Sequence, residues 1–146
     1  MDHTALSADE FAAMDGLADW RYLVGAIHAG YRAGSFAAAA SLVSAIADAA
    51  DLAHHHPDLD VRYPDRVRVR LMTHATGGLT THDVELARAI STLAGRCGAT
   101  SETAALQLVE IAIDTLDAAR IRPFWAAILG YDDLDGFLFN PLRIGP

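Results

Sequence analysis

Asp51-Leu52-Ala53-His54-His55-His56-Pro57, followed by Tyr63, by Thr73-His74 and by Asp83, is the stretch on which the reading of this chain turns. It holds five of the seven histidines. Working outward, Ser35 is placed to cap a long helix from about Phe36 to Ala53, which runs into the first aspartate. Phe36, Ala40, Val43, Ala47 and Ala50 recur at helical spacing, with Leu42 and Ile46 widening the stripe, so one broad face is apolar and mostly small. Pro57 disfavours helical geometry at His56, which predicts that the helix stops there and delivers the histidines to a loop. Asp60 to Tyr63 and Arg66 to His74 read as strands, the second alternating Val67, Val69 and Leu71 against Arg68, Arg70 and Met72. Thr76-Gly77-Gly78 is a turn, and Thr80 caps a helix from Thr81 to about Gly95. Its apolar face is Val84, Ala87, Ile90 and Ala94, with Leu86 and Leu93. Asp83 falls in its first turn, where the helix dipole favours a carboxylate and a capping box can use one.

Toward the N-terminus, Ser7-Ala8-Asp9-Glu10 has the form of a capping box, which predicts a short helix from about Ala8 to Gly16. Trp20–Val24 and Ala26–Tyr31 are strand-like runs on either side of Gly25, predicting a hairpin that puts Trp20, Tyr22 and Tyr31 on one side. The order helix, strand, strand, helix, strand, strand, helix predicts an α+β fold, with a four-stranded antiparallel sheet and helices packed on one face. An open sheet has edges to cover, so a homo-oligomer is expected. Residues 1–98 form this domain. Residues 99–106, rich in Gly, Ala, Ser and Thr, read as a linker. Residues 107–146 form an appendage: a strand over Leu106–Asp114, a helix carrying Ile121, Phe124, Trp125, Ile128 and Leu129 and stopped by Gly130, and a strand from Phe137. Pro123 predicts that this helix starts late or bends early.

A length of 146 residues suits one domain with an appendage and is enough to bury a core. With 52% apolar residues the chain is expected to be globular and helix-rich. A net charge of −8 argues against a nucleic-acid partner. Arg62, Arg66, Arg68 and Arg70 alternate as the solvated side of a strand. The lone Cys97 is expected to be a buried or half-buried small hydrophobe, and one cysteine suits a reducing cytoplasm. Neither a signal peptide nor an apolar run of membrane-spanning length is evident, so a cytoplasmic protein without a membrane partner is expected.

The combination of Asp51, His55-His56-Pro57, Tyr63, His74 and Asp83 resembles the fingerprint of the pterin-4a-carbinolamine dehydratase family: an acidic residue, three residues, His-His-Pro, then an aromatic, a histidine and an aspartate. The resemblance covers roughly residues 5 to 97. The chain departs from it in having one more residue between Pro64 and Thr73, and Leu59 where the family often carries tryptophan. The resemblance implies loss of water from a 4a-hydroxytetrahydropterin to give the quinonoid dihydropterin, and homodimers or homotetramers. Val109 to Tyr131, especially Phe124-Trp125-Ala126-Ala127-Ile128-Leu129-Gly130-Tyr131, resembles the opening strand and helix of a glyoxalase/vicinal-oxygen-chelate module. Such modules are βαβββ units, normally paired, and less than one is present.

Dehydration needs an acid for the departing hydroxyl and a base for the N5 proton. Histidine suits both, since either form is available near neutrality. Neither a cofactor nor a metal is required. By motif position, His55 and His74 are the proton-transfer pair, in either order, and His56 serves chiefly in substrate binding. Asp51 and Asp83 orient the imidazoles or meet the N–H edge of the pterin; for Asp83 a purely capping role stands beside this. Tyr63 walls the pterin ring or packs in the core. His54, His3, His28 and His82 have no assigned role, and His82 is expected at the surface. Three consecutive histidines taken alone are a solvated loop, and adjacent rings do not readily share one metal ion. Two rival readings differ in class. One is a non-catalytic binding or dimerisation module, a partner of a transcription factor or other protein. The other is a regulatory domain of a longer vicinal-oxygen-chelate protein with a ligand such as Glu110.

Overall fold

Helix α1 (Ala8–Ala12) begins at the expected capping box: the Ser7 hydroxyl accepts the Glu10 amide and the Glu10 carboxylate accepts the Ser7 amide. It stops four residues before Gly16. The computed structural model describes residues 5–109, 113–134 and 137–139; His3 and Glu110 lie outside them. Strands β1 (Trp20–Leu23) and β2 (Ala26–Arg32) pair through a two-residue turn. Val24 and Gly25 both have positive φ there, the geometry that matches strand twist and that a β-branched valine enters at a cost. Trp20 faces Ala29 and Tyr22 faces Ile27, so Tyr31 lies on the same side as both aromatics.

Helix α2 (Phe36–Ala53) has the expected bounds, with the Ser35 hydroxyl accepting the Ala38 amide. Its buried face is Ala39, Leu42, Ile46 and Ala50, not the Phe36, Ala40 and Ala47 line; Phe36 is 59% exposed. Leucine and isoleucine each gain about 1.5–3 kcal/mol on burial, far more than an alanine, and they decide which face turns inward. By length and a mean hydropathy of 1.5 alone, α2 could cross a membrane, contrary to the length argument from the sequence; here its Leu42–Ile46 face lies in the core.

Strands β3 (Asp58–Arg62) and β4 (Arg66–Leu71) form a second hairpin, and β4 pairs with β2, giving the antiparallel order β1-β2-β4-β3. Val67, Val69 and Leu71 are buried under α2 and α3 (Thr81–Arg96). Arg66, Arg68 and Arg70 occupy the opposite face. Strand β4 ends three residues before His74, which instead opens a 3₁₀ turn over His74–Thr76. The core shared by sheet and helices includes Trp20, Tyr31, Ile27, Leu42, Ile46 and Ile90. Ser91 from α3 ties its polar ends, accepting Trp20 Nε1 at 3.0 Å and lying 3.2 Å from the Tyr31 hydroxyl. Burial pushes that hydroxyl well above the usual tyrosine range.

The expected linker is partly structured. Thr100–Ser101 form a fifth strand, β5, on the stretch of β2 that β1 leaves free, opposite Tyr31 and Arg32. The Glu102 amide donates to Gly30 O, and the Glu102 carboxylate meets Arg66 at 3.0 Å. Leu106 then crosses so close that a Cβ on Gly30 would lie 3.4 Å from it. The first compact unit accordingly runs to Leu108. Backbone pairing outweighs the linker-like composition, because amides on an open β2 edge would otherwise lack partners.

The strand expected over Leu106–Asp114, which straddles the boundary to the second unit at residue 109, is absent at 106–109 and 113–114, and 110–112 lie outside the described residues. Of the strand and helix expected there, the helix is present among the described residues. Helix α4 (Ala118–Leu129) contains Pro123 within it and ends at Gly130 in a left-handed conformation; strands β6 (Asp132–Leu134) and β7 (Phe137–Phe139) pair after it. Asp117 accepts the Arg120 amide, so the helix starts ahead of its proline and not after it.

Candidate functional site

The helix that carries Asp51 ends earlier than Pro57 requires. His54 takes φ 50°, a left-handed conformation usually left to glycine, and the amides of His54 and His55 turn back to Asp51 O and Ala50 O. This reversal redirects the chain so that His55 and His56, adjacent in sequence, find different partners. His55 Nε2 lies 2.7 Å from Asp83 Oδ1, with the histidine side chain 16% exposed and the aspartate 0%. His56 Nε2 lies 2.9 Å from Asp51 Oδ1, and both side chains are open to solvent.

Asp83 uses its two oxygens for two tasks. Oδ2 accepts the Thr80 amide at 2.7 Å and the Thr73 hydroxyl at 2.8 Å, with the Thr80 hydroxyl at 3.2 Å, while Oδ1 faces His55. One carboxylate thus caps α3 and faces His55 at the same time. Burial on its own would raise the Asp83 pKa, but the hydrogen bonds from His55, the Thr80 amide and Thr73 outweigh it, and the group is held below its ordinary 3.8. Asp83 is therefore an ionised carboxylate in the core, braced on every side by donors.

His74 directly follows Thr73, whose hydroxyl sits on Asp83, so the two residues share one peptide; the His74 side chain is exposed. His82, expected at the surface, is half-buried with its ring centroid 6.4 Å from that of His55. Its only sequence signal is its position beside Asp83 in the first turn of α3. Thr73, quoted above only as the neighbour of His74, gives no sequence signal for its contact with Asp83. Its neighbour Thr80 was legible through its spacing to Asp83.

Tyr63 is not brought to this group. The register pairs Asp58 with Arg70 at one end of the β3–β4 hairpin and Arg62 with Arg66 at the other. The histidines flank the open end and Tyr63 stands at the turn, 89% exposed. Five strand residues at about 3.3 Å each separate them by roughly 16 Å. The tyrosine is thus neither in the core nor beside the imidazoles of its own chain. Asp58 and Arg70 close the open end with a 2.7 Å ion pair. Cys97 is exposed at the end of α3, not buried. Among the described residues, no group of three or more His, Cys, Asp or Glu is arranged to hold a metal ion.

Residues 4–93 match the protein family described as pterin 4 alpha carbinolamine dehydratase. The chain is 44% identical over 93 residues to a Nocardia farcinica protein named "Putative pterin-4-alpha-carbinolamine dehydratase", an alignment spanning 62% of this chain and 97% of that one. A Chloroflexus aurantiacus protein of the same name is 44% identical over 77 residues, 53% of this chain and 82% of that one. The crystal structure of a transcriptional coactivator/pterin dehydratase from Brucella melitensis superposes with a TM-score of 0.59 at 29% identity, covering 63% of this chain and 100% of its own.

Proposed function

We propose that this chain, which belongs to the pterin 4 alpha carbinolamine dehydratase family, removes water from a 4a-hydroxytetrahydropterin to leave the quinonoid dihydropterin, with imidazoles as acid and base. The C4a–O bond breaks as an acid protonates the hydroxyl, a base takes the N5 proton, and the C4a=N5 bond forms; no electron is gained or lost. The observation that carries this reading is the buried His55–Asp83 pair, an imidazole held at 2.7 Å by an ionised carboxylate. Such a carboxylate orients the ring, and an oriented imidazole is the equipment of a proton-transfer group. His74 is the second proton-transfer group, its backbone anchored through Thr73 to the same carboxylate. His56 and Asp51, paired in solvent, are assigned to the substrate, Asp51 meeting the N–H edge of the pterin. With both oxygens engaged, Asp83 is assigned to holding His55 in place of binding pterin.

The test is the disappearance of enzymatically generated 4a-hydroxytetrahydropterin, followed by ultraviolet absorbance, with wild type beside His55→Ala and His74→Ala. Wild type is expected to accelerate dehydration, and each variant to lose about a hundred- to ten-thousand-fold. Folded wild type no faster than buffer would overturn the reading.

A second reading, a binding module, has its own observation: α2 leaves Phe36 59% and Leu52 87% exposed on a helix otherwise rich in alanine. Exposed apolar side chains suit association, and with the β3 edge they support a homodimer or homotetramer. Light scattering after gel filtration of wild type and Leu52→Glu tests this: an oligomer lost in the variant supports it, and a monomeric wild type sinks it.

A further inference from the structure

The donors around Asp83 constrain where His55 carries its proton. The Thr80 amide can only donate, and it points at Asp83 Oδ2 from 2.7 Å. The Thr73 and Thr80 hydroxyls lie 2.7 Å apart, and Thr73 is 2.8 Å from the same oxygen. Two hydroxyl protons satisfy these contacts when Thr80 donates to Thr73 and Thr73 donates to Oδ2. All three residues are buried, Thr80 and Asp83 completely and Thr73 to 8% exposure, so water does not replace a missing partner cheaply. An ionised carboxylate has only acceptor sites, and Oδ1 therefore demands a donor. The group facing Oδ1 is His55 Nε2.

We infer that Thr73 and Thr80 are positioning residues that orient Asp83 so that His55 keeps its proton on Nε2 and works through Nδ1. In the neutral ring Nδ1 then holds the free lone pair and is the basic atom; in the imidazolium it carries the proton to be given up. No described residue hydrogen-bonds Nδ1. The inference rests on the dehydratase reading only for what Nδ1 acts upon; the protonation pattern follows from the donors alone. It assigns the reacting nitrogen, which neither the sequence pattern nor the family match does.

Asp83→Asn gives a sharp test. The donors at the Oδ2 position require the amide oxygen there, which turns the NH₂ group toward His55. Nε2 must then accept, and the proton moves to Nδ1, leaving no base at the working position. With ¹⁵N-labelled histidine, two-bond ¹H–¹⁵N spectra of the neutral ring are expected to show Nε2 protonated in wild type and Nδ1 protonated in Asp83→Asn. In kinetics, Thr73→Val is expected to lower kcat roughly ten- to a hundredfold with KM little changed, and Thr73→Ser to restore it. A wild-type His55 protonated on Nδ1 overturns the inference, as does a folded Asp83→Asn protein that keeps the wild-type pattern. If Asp83→Asn does not fold, the wild-type spectrum decides alone. Spectra that agree in a protein without turnover would remove the dehydratase reading and leave the tautomer assignment standing.

Discussion

His55 and His56 are neighbours of the same residue type, each with Nε2 on an aspartate oxygen within 3 Å, yet the two pairs are physically different objects. The His55–Asp83 pair joins the end of one helix to the start of another inside the core, across 28 positions of sequence. The His56–Asp51 pair is local, with side chains 65% and 79% exposed. In solvent an ion pair gains little over hydration and loses side-chain entropy. In the core Asp83 cannot turn to water, so it depends on His55 and on the threonines. Equal distances therefore say little about strength or role until burial is added.

The comparison breaks most visibly if the buried carboxylate proves dispensable. Asp83→Ala is expected to lower unfolding free energy by about 3–5 kcal/mol in urea denaturation, since it leaves buried donors and an imidazole without their acceptor. Asp51→Ala is expected to cost no more than about 1 kcal/mol in the same assay. Similar losses in the two variants would mean that burial does not separate the pairs.

Acid titration sharpens the contrast. The Asp83 pKa is depressed in the folded chain, so its stabilisation is complete above the ordinary 3.8 and is lost as pH falls through the lowered value. The stability gap between wild type and Asp83→Ala should thus be constant near neutrality and shrink below about pH 4. A gap that widens on acidification would contradict the ionised, donor-braced carboxylate.

Smaller again is the difference between the two histidines in substrate affinity. His56→Ala should raise KM while leaving kcat within about tenfold, the pattern of lost uniform binding, whereas His55→Ala should act chiefly on kcat. Steady-state kinetics that reverse these effects would exchange the two roles. The least effect belongs to the residue that divides the pairs: His54→Gly relieves a left-handed φ of 50° and should stabilise by at most about 1 kcal/mol, after the entropy of glycine is subtracted. Thermal unfolding of that variant measures how much strain the turn between the two sites carries.

Much of this molecule was open to reading without coordinates, and for physical reasons that are local. Ser35 and Thr80 mark helix starts because an orphan amide needs an acceptor within three residues. Val67, Val69 and Leu71 mark a strand because successive side chains alternate between faces. Even the His-His-Pro constellation is a pattern of nearby residues, and the family it points to is the one that residues 4–93 match. Alanine-rich α2 was harder, since its stripe admits several centres and only Leu42 and Ile46 against β4 select one.

By itself, then, the amino-acid sequence determined the helices, the four main strands, the α+β class and the cluster of imidazoles and carboxylates, all properties of short-range periodicity, capping and spacing. The tertiary structure alone decided that His55 would reach Asp83 while His56 stayed in solvent, that Thr73 would brace the carboxylate, that His82 would approach His55, that Tyr63 would stand at the far end of its hairpin, and that residues 100–101 would join the sheet. Those outcomes depend on which distant groups share a desolvated space. Burial, which sets the strength of every charge and hydrogen bond in the site, belongs to the packed chain as a whole.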